Sequence, residues 1–286
     1  MMMTITILRD EDKIQLEGLV PDELMKESNM AVCALSEDVL CGVMLTKAVR
    51  PDTWDVTYVY VLPGRQRQGV ATDMFRLIVT VAKAVGVGAL TLSLLEDDDE
   101  RDIRSFAVAN GFEVINESPV LSASLSSIEI ALGKKLDSKI TDGNVVQLKY
   151  VSGSVYGKLL ERLGELKLEK KDRASADYYM IPKNRSFYDA DVSAVALDED
   201  GEICGILLMR EETDFVSVDY MCSLKPEDPR IVMSLLKNAC DWTCDKYNET
   251  LVHFHAFNPA VVKMTKSLFG RFLSETGKAV YMIRYI

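Results

Sequence analysis

The residues best suited to chemistry crowd into one stretch, Asp55 to Thr72. It holds one carboxylate, Asp55, two phenols, Tyr58 and Tyr60, and two arginines, Arg65 and Arg67. These are followed by Gln68, Gly69, Val70, Ala71 and Thr72. A glycine at a helix entry brings the backbone close to a bound group, and first-turn amides without acceptors attract anions. Gln66 to Ala71 is therefore read as a site where backbone N–H groups hold a phosphate or a similar anion. Asp55 is a candidate general base because it stands in an otherwise apolar strand; it also fits an ordinary acid at an exposed strand start. Tyr58 and Tyr60 are candidate proton donors, or packing aromatics with one satisfied hydroxyl. Strict alternation puts Asp55 and Thr57 on one face and Tyr58 and Tyr60 on the other.

The elements that position these residues are legible on either side. Trp54 to Leu62 is rich in β-branched and aromatic residues, as a buried strand requires, and Pro63 ends it. Val70, Met74, Leu77, Ile78, Val81 and Val85 recur at helical spacing. Upstream, Thr4 to Leu8 reads as a strand, Asp10 to Val20 and Pro21 to Glu27 as helices, and Met30 to Leu35 with Val39 to Thr46 as a hairpin. Downstream come a strand, Ala89 to Leu95, and a helix, Asp102 to Asn110, ended by Gly111. A last hairpin is expected, Phe112 to Ile115 with Ser124 to Leu132. The acidic run Glu96 to Glu100 reads as a solvated helix start rather than a metal site.

Gln66-Arg67-Gln68-Gly69-Val70-Ala71, preceded by Val61-Leu62-Pro63, resembles the acyl-CoA pyrophosphate loop of the GNAT-type N-acyltransferases. Asn110-Gly111-Phe112 is similar to the family's Gly-Phe after its last helix. The resemblance covers about residues 3–134 and implies an α+β fold with a mixed sheet. It implies transfer of an acetyl or other acyl group from acetyl-CoA to a primary amine by direct attack on the thioester. Main-chain groups at Val61 and Leu62 would meet the pantetheine and the thioester. Gln66, Arg67, Gln68, Gly69, Val70, Ala71 and Thr72 would hold the pyrophosphate. Many members carry a Tyr four residues before the Gly, where it protonates the leaving thiolate; here that position is Ala107, next to Phe106. The proton then comes from elsewhere, Tyr58 or Tyr60 among the candidates, or no such acid is required. The alternative is a non-catalytic protein that binds or senses acyl-CoA.

The pattern then recurs. Cys41 and Cys204 lie 163 apart, Leu62 and Leu224 162, and Gly111 and Gly270 159. Near-constant offsets in the same order indicate two copies of one fold, residues 1–135 and 136–286, joined through the polar segment Lys135 to Asn144. In the second copy a strand over Val145 to Val151 leads to a helix, Val155 to Leu168. A hairpin, Val192 to Leu197 with Ile203 to Met209, precedes a central strand, Phe215 to Leu224. A helix over Ile231 to Lys246, a strand over Leu251 to Phe257 and a helix over Val261 to Phe269 complete it. Its loop, Lys225 to Arg230, has two prolines, two carboxylates and no glycine, so a degenerate copy without a pyrophosphate site is expected. The expected stoichiometry is one acyl-CoA per chain. Cys240, Cys244, His253 and His255 form a Cys2His2 set, but Cys240 belongs to an apolar helix stripe and the spacing fits no zinc module, so no metal is expected.

At 286 residues, 48% hydrophobic and 27% charged, the composition suits two soluble domains. No apolar run reaches membrane-spanning length, and Met1 to Asp10 lacks the pattern of an export signal. Six cysteines without such a signal suit a reducing cytoplasm. A net charge of −11 argues against nucleic acid and suits cationic, amine-bearing substrates. The duplication suggests an internal pseudo-dimer within a monomer or homodimer. Val20–Met30 and Tyr178–Asp191 are the segments expected to shape the acceptor pocket.

Overall fold

The structure, a computed structural model, describes residues 3–9, 16, 18–96, 101–135, 144–167, 182–212, 214–225, 228–254 and 259–286. It divides into two compact units, Met1–Asn116 with Val280–Ile286, and Glu117–Ala279.

The first unit contains β1 (Met3–Ile7), α1 (Asp22–Glu27), β2 (Met30–Ser36), β3 (Val39–Arg50), β4 (Thr53–Val61), α2 (Val70–Ala84), β5 (Ala89–Glu96) and α3 (Arg101–Ala109). Its strands follow the order β1-β2-β3-β4-β5, then the end of the chain's last strand, β12 (Ser274–Tyr285). β1 to β4 are antiparallel neighbours, and β4 with β5 is parallel. The β2–β3 turn is only Glu37 and Asp38, both at positive φ (52° and 63°), the conformation that a two-residue hairpin imposes. α2 buries Val70, Met74, Phe75, Ile78 and Ala82 on the sheet, each large side chain stabilising by about 1.5–3 kcal/mol. The predicted stripe holds except at its end. Val85 caps the helix rather than continuing it, and is 61% exposed.

The second unit contains β7 (Asn144–Gln147), α5 (Gly153–Lys167), β8 (Ala194–Leu197), β9 (Ile203–Glu211), β10 (Phe215–Ser223), α6 (Pro229–Lys246), β11 (Leu251–Phe254) and α7 (Pro259–Phe269). The predicted repeat is visible in detail. Leu62 N–H donates to Cys41 O at 2.9 Å, and Leu224 N–H to Cys204 O at 2.8 Å. The β2–β3 register slips between Ala34 and Leu35, and the β8–β9 register between Ala196 and Leu197. Gly42 and Gly205 occupy equivalent places under a helix. A Cβ on Gly42 would stand 3.0 Å from Tyr60 O, and one on Gly205 2.6 Å from the Ile231 side chain.

The expected hairpin after Phe112 is not formed. One strand, β6, runs Glu113–Ser124, and Leu125–Lys135 is a helix, α4. Leu125, Ile128, Ala131 and Leu132 are all buried, a helical and not an alternating spacing. The Ser124 hydroxyl accepts from Ser127 N–H at the helix start. The sequence reading also lacked β12, although Ala279 to Ile283 is an apolar, β-prone run.

These two strands change the domain picture. β6 is the last strand of the first copy in sequence, yet pairs with β11, from Leu121↔Phe254 to Leu251↔Ser124. β12 ends the second copy, yet Val280 and Met282 are buried in the α2 core, and Ile286 N–H donates to Gly88 O at 3.1 Å. Each copy's last strand thus completes the other copy's sheet, and the compact units do not follow a boundary at residue 135. Met282→Ala is therefore expected to destabilise the first unit by about 2–5 kcal/mol. Exposed Lys278→Ala should change stability by less than about 0.5 kcal/mol. Hydrogen exchange at the β5 amides distinguishes them.

Candidate active site

The loop after β4 is built by its own side chains. Pro63–Arg65 makes a single 3-10 turn. Gln66 Nε2 donates to Val61 O and Gln68 Nε2 to Gly64 O, both at 3.0 Å. Arg67 stands at φ 60°, and Gly69 at φ 84°. Two left-handed residues turn the chain back onto the sheet, and the second is the helix N-cap. The first i→i−4 bond of α2 is Asp73 N–H to Gly69 O, so the amides of Val70, Ala71 and Thr72 have no carbonyl inside the helix. Gln66, Arg67, Gln68 and Gly69 are exposed. A Cβ on Gly69 would meet nothing within 4 Å. Glycine is thus required here first by its φ, and the space above it is open for a ligand. Leu62 N–H, one of the main-chain groups expected to meet the pantetheine, is committed to Cys41 O.

Below this loop the sheet opens. β4 pairs with β5 only at Thr53↔Ala89, Trp54↔Leu90 and Asp55↔Thr91, although β4 continues to Val61 and β5 to Glu96. β4 instead follows β3 as far as Gly42↔Val61, with a register shift that leaves Thr57 as an extra residue. The bulge corrects the sequence reading of the two faces. Trp54, Val56, Val59 and Val61 all pack on the α2 core, whereas Tyr58 and Tyr60 pack on the opposite core with Leu16, Val20 and Leu45. The alternation reverses at Thr57. Asp55 therefore shares a face with Tyr58 and Tyr60, which strict alternation had put opposite.

Asp55 is buried, not an acid at an exposed strand start, and accepts from Thr91 Oγ1 at 2.7 Å. Tyr58 O–H donates to Leu19 O at 2.6 Å, and burial, followed by neighbouring Tyr60, raises its pKa. That hydroxyl anchors the turn ahead of α1 and is a poor proton donor while it does so. Tyr60 is half-buried on the same face. Thr57 Oγ1 is buried with no hydrogen-bond partner, at the bulge beside the opening. Sequence reasoning did not single it out; its place two residues after Asp55 is the signal. Ala107 is fully buried against the α2 core, and Phe106 meets Phe75 edge-on at 5.9 Å.

The equivalent place in the second unit is different. Asp219 is the extra residue of the β10 bulge, and Ser217↔His253 stands where Asp55↔Thr91 stands. Ser217 Oγ donates to Asp219 at 2.7 Å, and His253 stacks on Phe215 with centroids 4.0 Å apart. At the start of α6, Asp228 accepts from Arg230 N–H at 3.1 Å, and its carboxylate grips the Arg230 guanidinium at 2.7 Å. A protein carboxylate thus occupies the helix start. Pro226, Glu227 and His255 lie outside the described residues, as do Asp97 to Glu100 and Tyr178 to Ile181. Among the described residues no three His, Cys, Asp or Glu side chains gather as a metal site. Burial pushes the Cys240 thiol up, away from the thiolate that a metal needs. Of the segments expected to shape a pocket, Val20–Met30 holds α1. Lys183, in the other, is strapped by Tyr156 O–H to its carbonyl and by its N–H to Tyr188 Oη, each at 2.9 Å.

An α+β sheet with a parallel strand pair that opens beneath a glycine-turned helix start is the geometry of a GNAT-like fold. Residues 5–112 match the Acetyltransferase (GNAT) family. The whole chain has the tandem GNAT fold. A tandem GNAT protein from the clavulanic acid biosynthesis pathway is similar over 99% of this chain and 98% of its own, at 14% identity and TM-score 0.64. A glucosamine N-acetyltransferase region of a fungal multi-domain GH3 β-N-acetylglucosaminidase is similar over 99% of this chain and 38% of its own, at 13% identity and TM-score 0.62. A probable N-acyltransferase from Enterococcus faecalis V583 covers all of this chain with 73% of its own, at 11% identity and TM-score 0.57. No curated protein matches the sequence.

Two outcomes follow from the geometry. Thr91→Val removes a 2.7 Å donor from a buried carboxylate, and should destabilise the first unit by about 1–3 kcal/mol. Urea denaturation at pH 7 tests it. Burial lowers the His253 pKa from 6.5, so the unfolded chain takes up this proton first as pH falls. The stability that neutral His253 contributes is full above about 6.5 and is lost as pH drops from there toward the lowered folded value. His253→Phe should flatten that part of the stability–pH curve.

Proposed function

We propose that the chain is an acyl-CoA-dependent N-acyltransferase whose working site is in the first unit. The observation that carries this is the joint placement of the Gly69 turn and the β4–β5 opening. The turn leaves the Val70, Ala71 and Thr72 amides without an acceptor inside the helix at one end of the opening, while Asp55 lies buried at the other. Arg65 and Arg67 add positive charge beside the helix start, where a pyrophosphate gains most. Acetyl-CoA is the co-substrate that such a site fits, with its thioester in the opening. A primary amine would approach on the face that carries Asp55, Tyr58 and Tyr60. Asp55, directly or through water, would take the proton that the ammonium must lose before attack. Tyr60 is the phenol of β4 better suited to donating a proton, because Tyr58 is engaged with Leu19. The second unit would hold no acyl-CoA, since Asp228 fills the start of α6.

The commitment of Tyr58 and the apolar setting of Ala107 favour a second reading, an acyl-CoA-binding protein without turnover. Two measurements separate the readings. Calorimetry should give one acetyl-CoA per chain, and Gly69→Glu should abolish binding, because a non-glycine residue is strained at φ 84° and a carboxylate repels the pyrophosphate. Thiol release from acetyl-CoA with a panel of amines should then proceed in the wild type only. Binding without thiol release would leave the sensor reading. Unchanged affinity in Gly69→Glu, or two molecules bound per chain, would remove the site assignment.

A further inference from the structure

We propose that Tyr281, carried on the exchanged strand β12, is the phenol that protonates the departing thiolate in the first unit; the inference rests on the transferase reading above. Val280–Ile286 belongs to the first unit. Val280 and Met282 are buried in the α2 core, Ile286 packs against it, and the Arg284 guanidinium lies 5.1 Å over the Phe75 ring of that core. Even-numbered residues of this segment thus face α2. Tyr281, Ile283 and Tyr285 project from the other face, the one that carries Asp55, Tyr58, Tyr60 and Thr91.

The position along the strand is equally constrained. Ile286 N–H donates to Gly88 O, so the end of β12 meets the start of β5 and the two run antiparallel. Tyr281 lies five residues before Ile286, and Ser93 five after Gly88, which sets them level across a strand spacing of about 4.8 Å. Ser93 is two residues past Thr91, the last residue of β5 that pairs with β4, and is exposed. Tyr281 therefore stands beside the part of β5 that lines the opening. It is 5% exposed, whereas Tyr285 is 39% exposed. On α3, Phe106 and Ala107 carry no hydroxyl and pack on the α2 core.

The amine nitrogen bonds to the thioester carbonyl carbon, and the carbon–sulfur bond breaks with its electron pair on sulfur. The sulfur takes the Tyr281 phenolic proton. The phenolate regains a proton from the one that the attacking nitrogen gives up, through Asp55 or solvent.

The test uses the full chain, with acetyl-CoA and spermidine, glucosamine or a lysine peptide as acceptor, and follows thiol release from pH 6 to 10. Tyr281→Phe should lower kcat about 100-fold, leave acetyl-CoA affinity within about twofold, keep the Tm, and change the pH profile of the rate. Unchanged kcat overturns the inference and leaves the transferase reading standing. So does a drop in Tm with the pH profile unchanged, which would mark packing. Loss in Tyr60→Phe with Tyr281→Phe silent would place the acid on β4 and overturn it as well. No thiol release from the wild type with any acceptor overturns the transferase reading and this inference together.

Discussion

The first unit depends on the fact that β4 cannot keep two partners. It pairs with β3 to its end and with β5 over three residues only. Hydrogen bonding is a full accounting, so a parallel pair that stops short leaves main-chain groups to be satisfied by something else. The bulge at Thr57 makes the separation stable. It bends β4 toward β3 and reverses which side chains face α2, so that Val59 and Val61 continue the core begun by Trp54 and Val56. Without the reversal, Tyr58 and Tyr60 would compete with Val70 and Met74 for the space beneath α2. One extra residue thus opens the sheet, keeps the core apolar, and gathers Asp55 with the tyrosines.

The second unit shows which part of this device is structural. It repeats the bulge, at Asp219, together with the short parallel pairing and the glycine under the helix. It does not repeat the polar groups. Ser217 and His253 replace Asp55 and Thr91, and Asp228 caps the helix start that Gly69 leaves open in the first unit. The bulge is therefore a property of the fold, and the open helix start with a buried carboxylate is the addition made in one copy.

Much of this was legible in the sequence. The strand, the proline stop and the helix periodicity around Gly69 are local patterns, and each element lies where they indicate. Gly69 itself was legible because only glycine fits a φ of 84° without strain. The faces of β4 were not, because period-2 reasoning assumes an unbroken ladder and a bulge leaves no residue-type signature at Thr57. The hairpin expected after Phe112 failed for a related reason. Ser124 was read as the start of a strand, while Leu125, Ile128, Ala131 and Leu132 carry a helical period. The run Ala279 to Ile283 is β-prone, but its place between β5 and β6, far back in the chain, is beyond the reach of any local pattern.

The exchanged strands give the duplication a consequence that the repeat offsets alone do not imply. A copy that keeps its own last strand can lose its neighbour at little cost. Here β5 relies on Ile286 for a partner to Gly88, and the α2 core relies on Val280 and Met282. β11 relies in turn on Leu121 to Ser124. Losing the second copy would leave an unpaired edge and uncover apolar surface in the first. Selection on the first site then acts on the last seven residues of the chain. This accounts for a second copy that keeps the fold in detail after its helix start has been filled by its own carboxylate.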